Sequence, residues 1–426
     1  MVSSAESVSS DSLVTNVSMT QLVESERYLE DRARLEDVLH TDPSVINVGD
    51  EEGLTALHLA ALSGNVAALE LFLSSQAADV DQTDQSGHSA LHWAAVCHRV
   101  DCVHLLCQHG ALPDLRDHEG AGALHYAVQA DWADLVGALL EAGAGLELRD
   151  GLGRTPLMWA AACESVSSLL LLLEAGTEVA ARDGQSLTAL HSGAARGSER
   201  CVGQILDRHP ALVDIQDTEG ASPLFYAASS GQLGCVRLLL ERSAEVTLRD
   251  RLGRTVLACA VSSNNTQIME TLQAAGADLL ATTCEGDTIL HLATGKHLLE
   301  MVSWILHNAP SLVNRQNKVG VTPIHLATSL NNVRKVLLVT LRQNNMKYSR
   351  ICKLLLDFHC HCNPVMKYGR RRRFAMMTPV DIAMAKNYIG CCKLLQLHGG
   401  VKWSSLQRQR SQSEQLVRVM SAPSLR

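Results

Sequence analysis

Large aromatic side chains are scarce in this chain of 426 residues: Phe, Trp and Tyr together make up 4%. So few rings cannot fill one large globular core, whereas small side chains between thin helical layers suffice for a layered protein. No uncharged apolar run approaches the ~20 residues of a membrane-spanning helix. The opening Met1-Val2-Ser3-Ser4-Ala5-Glu6 lacks the basic start and apolar core of a secretory signal. The phosphate-cradling Gly-x-x-x-x-Gly-Lys-Ser/Thr loop is missing, since Gly295-Lys296 has neither the earlier glycine nor the following hydroxyl. A His-Glu-x-x-His zinc helix and paired Cys-x-x-Cys ligands are missing too. Half a dinucleotide fingerprint, Gly151-Leu152-Gly153, is better explained as a turn. These gaps argue against nucleotide-dependent, zinc-dependent and membrane-embedded functions.

Thirteen cysteines without a secretory signal suggest a reducing compartment, hence an intracellular protein, cytoplasmic or nuclear. The formal charge of −8 conceals a split along the chain. From Val333 to the end there are 18 Lys and Arg against 3 acids, while the first 332 residues carry 19 bases and 42 acids. Such asymmetry bears on partners and solubility, not on fold.

What is present is a repeat. Thr55-Ala56-Leu57-His58 returns at multiples of 33 or 34 residues as Ser89-Ala90-Leu91-His92, Gly122-Ala123-Leu124-His125, Thr188-Ala189-Leu190-His191, Thr288-Ile289-Leu290-His291 and Thr322-Pro323-Ile324-His325. A unit this short cannot bury its own apolar face, so each copy must stack on its neighbours in one elongated body. Within a unit come an Asp- and Gly-containing turn, a short helix opening at Thr-x-Leu-His, and a longer Leu-rich helix. Thr or Ser caps the first helix and Pro suits its first turn. Gly110, Gly143, Gly176 and Gly276 follow the second helix, where a left-handed residue is wanted. Units start at Asp50, Asp84, Asp117, Asp150, Asp183, Asp217, Asp250, Thr283 and Asn317, with an irregular tenth around Thr378-Pro379-Val380-Asp381.

Turn, capped helix, Leu-rich helix and terminating glycine together resemble the ankyrin repeat over nearly the whole chain. The resemblance implies an all-α solenoid of helix-turn-helix units joined by β-hairpin-like turns. It also implies a non-catalytic scaffold or adaptor that binds other proteins on its concave face, without cofactor or metal. The expected organisation is a disordered leader over 1–18, a degenerate capping unit over 19–49, repeats over 50–332, irregular repeats over 333–400 and a disordered basic tail over 401–426. A monomer is expected. The interval from Thr322 to Thr378 is 56 residues, so about 23 are inserted, most of them within 333–350.

In such stacks the turn tips and inner-helix ends are spared from packing. Here they are Glu51, Glu52, Gln85, His88, His118, Glu119, Arg154, Gln185, Arg196, Glu219, Arg251, Arg254, Asp287 and Lys318, the candidate partner contacts. Acids at the start and Arg149, Arg154, Arg182, Arg249, Arg251 and Arg254 in the middle suggest a bipolar groove. The repeated histidines are expected to make a structural hydrogen bond. Cys102, Cys201, Cys235 and Cys391 share one repeat position and are expected in the core. His359-Cys360-His361-Cys362 has metal-ligand residue types, but Cys360 falls where the residue after the terminating glycine packs.

Arg370, Arg371, Arg372 and Arg373 lie where the last hairpin should turn and form an expected basic loop, suited to nuclear import or to solvation. Contact with nucleic acid or acidic lipid is a third reading, and nucleic acid is the weaker choice, because the acidic array repels phosphate. A ubiquitin-ligase substrate adaptor is another alternative, though the tail holds no evident recruitment box. Ser411 and Ser421 are candidate phosphosites, Ser421 in an Arg-x-x-Ser-x-Pro context similar to those read by 14-3-3 proteins.

Overall fold

In the computed structural model of the protein, the described residues are 36, 39–40, 42–75, 77–329, 350–362, 364–368, 375–385, 389–402 and 404–408. The leader, the 333–349 part of the insertion, Arg370–Arg373, Ser411 and Ser421 lie outside them. Two compact units are distinguished, one up to Thr218 and one from Glu219 on.

In the first unit the inner helices are Ala56–Ser63, Ala90–Val96, Ala123–Gln129, Pro156–Cys163 and Ala189–Arg196, each followed by an outer helix such as Val100–Gln108 or Ala133–Glu141. The second unit continues the pattern with Pro223–Ser230, Val256–Ala260, Ile289–Gly295, Pro323–Ser329 and Pro379–Ala385. Such helices are too short to persist alone, so their stability is tertiary. The leucine at the third place of each repeated tetrapeptide, whatever residue follows it, shows it: Leu57, Leu91, Leu124, Leu157, Leu190, Leu224, Leu257 and Leu290 are at most 2% exposed. The cysteine position follows suit, with Cys102, Cys201, Cys235 and Cys391 buried where Leu135 and Ile268 sit in sister repeats. Burial raises the Cys102 thiol to about 11 and the Cys201 thiol to about 12, leaving both as inert core thiols.

Outer helices end as the glycine spacing predicts: Gly110, Gly143, Gly176 and Gly276 have φ of 88°, 88°, 87° and 93°. His359 takes that left-handed position after the helix that follows the insertion, with φ 59°, and Cys360 packs behind it, 7% exposed. Among the described residues no cluster of three metal-ligating side chains forms there or elsewhere.

The turns form fingers. At Asp50, Asp84, Asp117, Asp150, Asp183 and Asp250 the leading Asp Oδ1 accepts two backbone N–H groups, as Asp84 does from Ser86 and His88 and Asp117 from Glu119 and Ala121. Successive fingers are laced by one backbone bond, His118 N–H to Ser86 O at 3.0 Å and Gly151 N–H to Glu119 O at 2.7 Å in the first unit. Gly120 must be glycine there, because at φ 79° a Cβ would lie 2.6 Å from the Gly151 nitrogen.

Two elements depart from the repeat. Met366–Tyr368 pairs antiparallel with Ala375–Met377, a hairpin longer than the other fingers. The tail, expected to lack structure from 401, is helical over 404–408, where Leu406 is half-buried and its N–H reaches Lys402 O.

Candidate partner-docking face

The repeated histidine does the work expected of it, and its chemistry is now specific. The Thr55 N–H donates to His58 Nδ1 at 3.0 Å, so Nε2 carries the ring proton and donates to the His88 carbonyl of the next unit at 3.0 Å. His92 to Ala121 O, His125 to Arg154 O and His291 to Val321 O repeat the clip at 3.3, 3.3 and 3.0 Å. Only the neutral ring can accept at Nδ1 while donating at Nε2. Burial depresses the pKa of His58, His92, His125 and His291, against the opposing pull of the carbonyls they face. His325, lowered to about 4, is the extreme.

The residue after that histidine, or after Met158 at the same position of the Asp150 repeat, faces outward, and in three successive units it is aromatic: Trp93, Tyr126 and Trp159, all half-buried. Each ring is pinned to the leading Asp of its own finger. Trp93 Nε1–H donates to Asp84 Oδ2 and Trp159 Nε1–H to Asp150 Oδ2, both at 3.0 Å, while the Tyr126 hydroxyl donates to Asp117 Oδ2. Burial, reinforced by the Asp117 carboxylate, pushes the Tyr126 phenol far above its usual value, so it stays a donor. Burial also opposes ionisation of Asp84 and Asp150, yet the N–H donors around each outweigh it and hold both below the ordinary carboxylate value.

Between the Asp84 and Asp117 fingers Trp93 and Tyr126 floor a cavity of about 510 Å³, lined also by Gln85, Ser86, His88, Val96, Asp117, His118 and Glu119. Four of the candidate contacts, Gln85, His88, His118 and Glu119, meet in it. His88 is the hub: its ring stands edge-on to Trp93 at 5.5 Å and to Tyr126 at 5.9 Å, with Nε2 3.5 Å from Asp117 Oδ2. Trp93, Val96 and Tyr126 were not singled out by sequence. Their signal was a ring recurring 33 residues apart beside the repeated histidine, hidden by the low aromatic total.

The remaining candidates fall apart into two groups. Glu51, Glu52, Gln185, Arg196, Glu219, Arg251 and Lys318 are exposed, as expected of turn tips and helix ends. Arg154 and Arg254, expected to be spare, are bound instead: their Nε groups donate to Asp150 and Asp250 at 2.7 and 2.6 Å. Asp287 accepts from Asn317 Nδ2 at 2.8 Å. Arg149, Arg182 and Arg249 are staples between units, each Nη1 donating to two backbone carbonyls, as Arg149 does to Gly153 O at 3.0 Å and Arg182 O at 2.6 Å. A cation aimed at free carbonyls is engaged in holding the stack, so the basic half of the expected bipolar groove is largely consumed. Exposed apolar tips stand beside them: Leu152 is 65% exposed, Leu252 56% and Val319 50%.

Short capped helix pairs, laced fingers and a side-chain face free of packing define a helical repeat protein of the binding kind. The chain belongs to the ankyrin-repeat family: the family "Ankyrin repeats (3 copies)" matches residues 32–117, 111–183, 190–283 and 257–347. The E3 ubiquitin-protein ligase KEG of Arabidopsis thaliana is 38% identical over 147 residues, 34% of this chain and 9% of that protein. Inversin of Canis lupus familiaris is 29% identical over 158 residues, 37% of this chain and 15% of its own length. The ankyrin repeat domain of Bcl-3 aligns in full with 52% of this chain at 29% identity and a TM-score of 0.46. The matches thus span only a small part of the two larger proteins. Ankyrin repeats are protein–protein interaction modules, and among the described residues no helix is long and apolar enough to cross a membrane.

Proposed function

We propose that this protein is a non-catalytic scaffold or adaptor that holds a partner polypeptide against the fingers and inner helices of its first unit, with the Trp93–Tyr126 cavity as anchor point. The observation behind this reading is the pair of half-buried rings at the floor of a 510 Å³ recess, fixed by Asp84 and Asp117 rather than left to rotate. Interface energy concentrates on such rigid aromatic anchors in partly dry pockets. Preorganised rings also lose little side-chain freedom when a partner covers them. The adaptor role, the identity of the partner and a place in cytoplasm or nucleus belong to this proposal, as does a monomeric state.

The test is affinity capture from cells with the intact chain, with Trp93→Ala/Tyr126→Ala, and with Leu292→Ala/Leu326→Ala as a control at equivalent positions of the second unit. Partners retained by the parent and the control but lost by the first variant support the reading. Equal retention by all three, with matching melting temperatures, contradicts it. Loss of the same partners only on deletion beyond Asn332 would instead point to the basic end, and salt-sensitive nucleic-acid retention by that end would favour the alternative reading.

A further inference from the structure

The first unit contains an internal picture of what its cavity is shaped to receive. In the Asp150 repeat, the Arg154 guanidinium lies over the Trp159 ring, 4.9 Å from its centroid, while Nε and Nη2 both sit 2.7 Å from Asp150 Oδ2. Leading Asp, fourth residue on, and ninth residue on thus make an acid–guanidinium–ring sandwich. In the Asp84 repeat the middle place is taken by His88, whose ring contacts Trp93 edge-on. In the Asp117 repeat the ring is Tyr126, the acid is Asp117, and the middle residue is Ala121, too short to reach either; the His88 ring of the preceding finger stands there instead, 3.5 Å from Asp117 Oδ2 and edge-on to Tyr126. The cavity lies at this repeat, with Glu119 exposed on its rim.

We propose that the cavity takes the guanidinium of an arginine supplied by a partner polypeptide, stacked beside the Tyr126 ring and paired with the exposed Glu119 carboxylate at the rim, since Asp117 beneath is already engaged by the Tyr126 hydroxyl, two backbone N–H groups and His88. This deepens the docking reading above and rests on it. Charge favours the occupant: residues 50–150 hold sixteen Asp and Glu, three Arg and no Lys. A planar guanidinium suits a ring and a carboxylate together better than a lysine ammonium does, because it stacks and donates in the same plane. His88 and Trp93 line the same recess, so an occupant meets aromatic rings as well as acids.

The experiment uses the full chain, 15N-labelled, and follows the Trp93 indole N–H among its five tryptophans by NMR. The probe is the acetylated, amidated peptide Gly-Ser-Arg-Ser-Gly, with lysine and citrulline versions beside it. Saturable movement of the Trp93 signal by the arginine peptide is expected, with at least about fivefold weaker binding of the lysine peptide and none of the citrulline peptide. Ala121→Arg should fill the recess from within and weaken binding at least about fivefold, while Gln108→Arg on an outer helix, which adds the same charge, leaves it unchanged. Ala121 is buried; where its variant does not melt like the parent, Glu119→Gln at the exposed rim decides by weakening the arginine peptide. No movement with any peptide, equal affinity for citrulline, equal affinity for lysine, or undiminished binding by a folded Ala121→Arg or by Glu119→Gln would each overturn the proposal. Were the peptides inert while Trp93→Ala/Tyr126→Ala still lost its cellular partner, the docking face would stand and the guanidinium assignment would fall.

Discussion

The Asp84–Asp150 repeats of the first unit and the Asp250–Asn317 repeats of the second share a scaffold but not a surface. Where both carry the histidine, its clip is the same, His92 to Ala121 O in one and His291 to Val321 O in the other, and their leucines are equally buried. One residue further along, the first set presents Trp93, Tyr126 and Trp159, whereas the second presents Cys259, Leu292 and Leu326. Positions whose backbone or packing role is the same in every repeat cannot differ without loosening the stack. The position that faces away from the stack can, and that is where the two regions diverge. Recognition is therefore written beside the histidine, not in it.

The largest effect should come from the difference itself. Trp93→Ala/Tyr126→Ala is expected to weaken partner binding by about 2 kcal/mol or more, some thirtyfold, whereas Leu292→Ala/Leu326→Ala should leave it unchanged, as titration calorimetry with a captured partner would show. Comparable losses from both would erase the contrast.

Acid should act on what the two regions share. The clip histidines are neutral when folded and have depressed pKa values, so the unfolded chain binds more protons below about pH 6.5 and stability falls as the pH drops. The sign follows from folded values lying below the unfolded 6.5: the contribution is intact above it and lost on the way down to the folded value. For His325, at about 4, the loss is on the order of 3 kcal/mol between pH 6.5 and 4. Urea midpoints at pH 7.5, 6 and 5 should descend in that order; a flat profile would mean that the rings are charged or exposed.

His92→Ala and His291→Ala should each cost about 1–3 kcal/mol, since each strands a buried N–H and a carbonyl, and the two costs should match within about 1 kcal/mol. Unequal costs measured by chemical denaturation would show that the shared scaffold is not shared energetically. The smallest effect is expected at a helix end: Gly143→Ala at φ 88° meets no neighbouring atom, so only backbone strain of about 1 kcal/mol remains, read as a few degrees in melting temperature.

The layered fold was legible because its causes are local and periodic. A threonine before a short helix, a histidine three residues into it and a glycine after the next helix each answer a backbone demand that recurs with the unit. The histidine's partner was only half legible: a structural hydrogen bond is implied by repetition, but the carbonyl that receives it belongs to the next repeat. Arginines were least legible. Arg149 and Arg154 differ by five residues and share a composition, yet one staples carbonyls and the other stacks on Trp159. A long cationic side chain at a turn can serve solvent, a partner or its own backbone, and only the neighbouring finger decides which. The aromatic stripe is hidden for the opposite reason: Trp93, Tyr126 and Trp159 leave little mark on the composition, and only their shared repeat position sets them apart.

The central claim is that the recess beside Trp93 and Tyr126 is where a partner sits. Photo-crosslinking in cells from benzoylphenylalanine placed at the exposed rim residue Val96, and separately at its repeat equivalent Ser262 in the second unit, tests it most directly. A discrete crosslinked partner from position 96, absent from position 262, is the expected result. The same partner captured equally from both positions, or from 262 alone, would contradict the account.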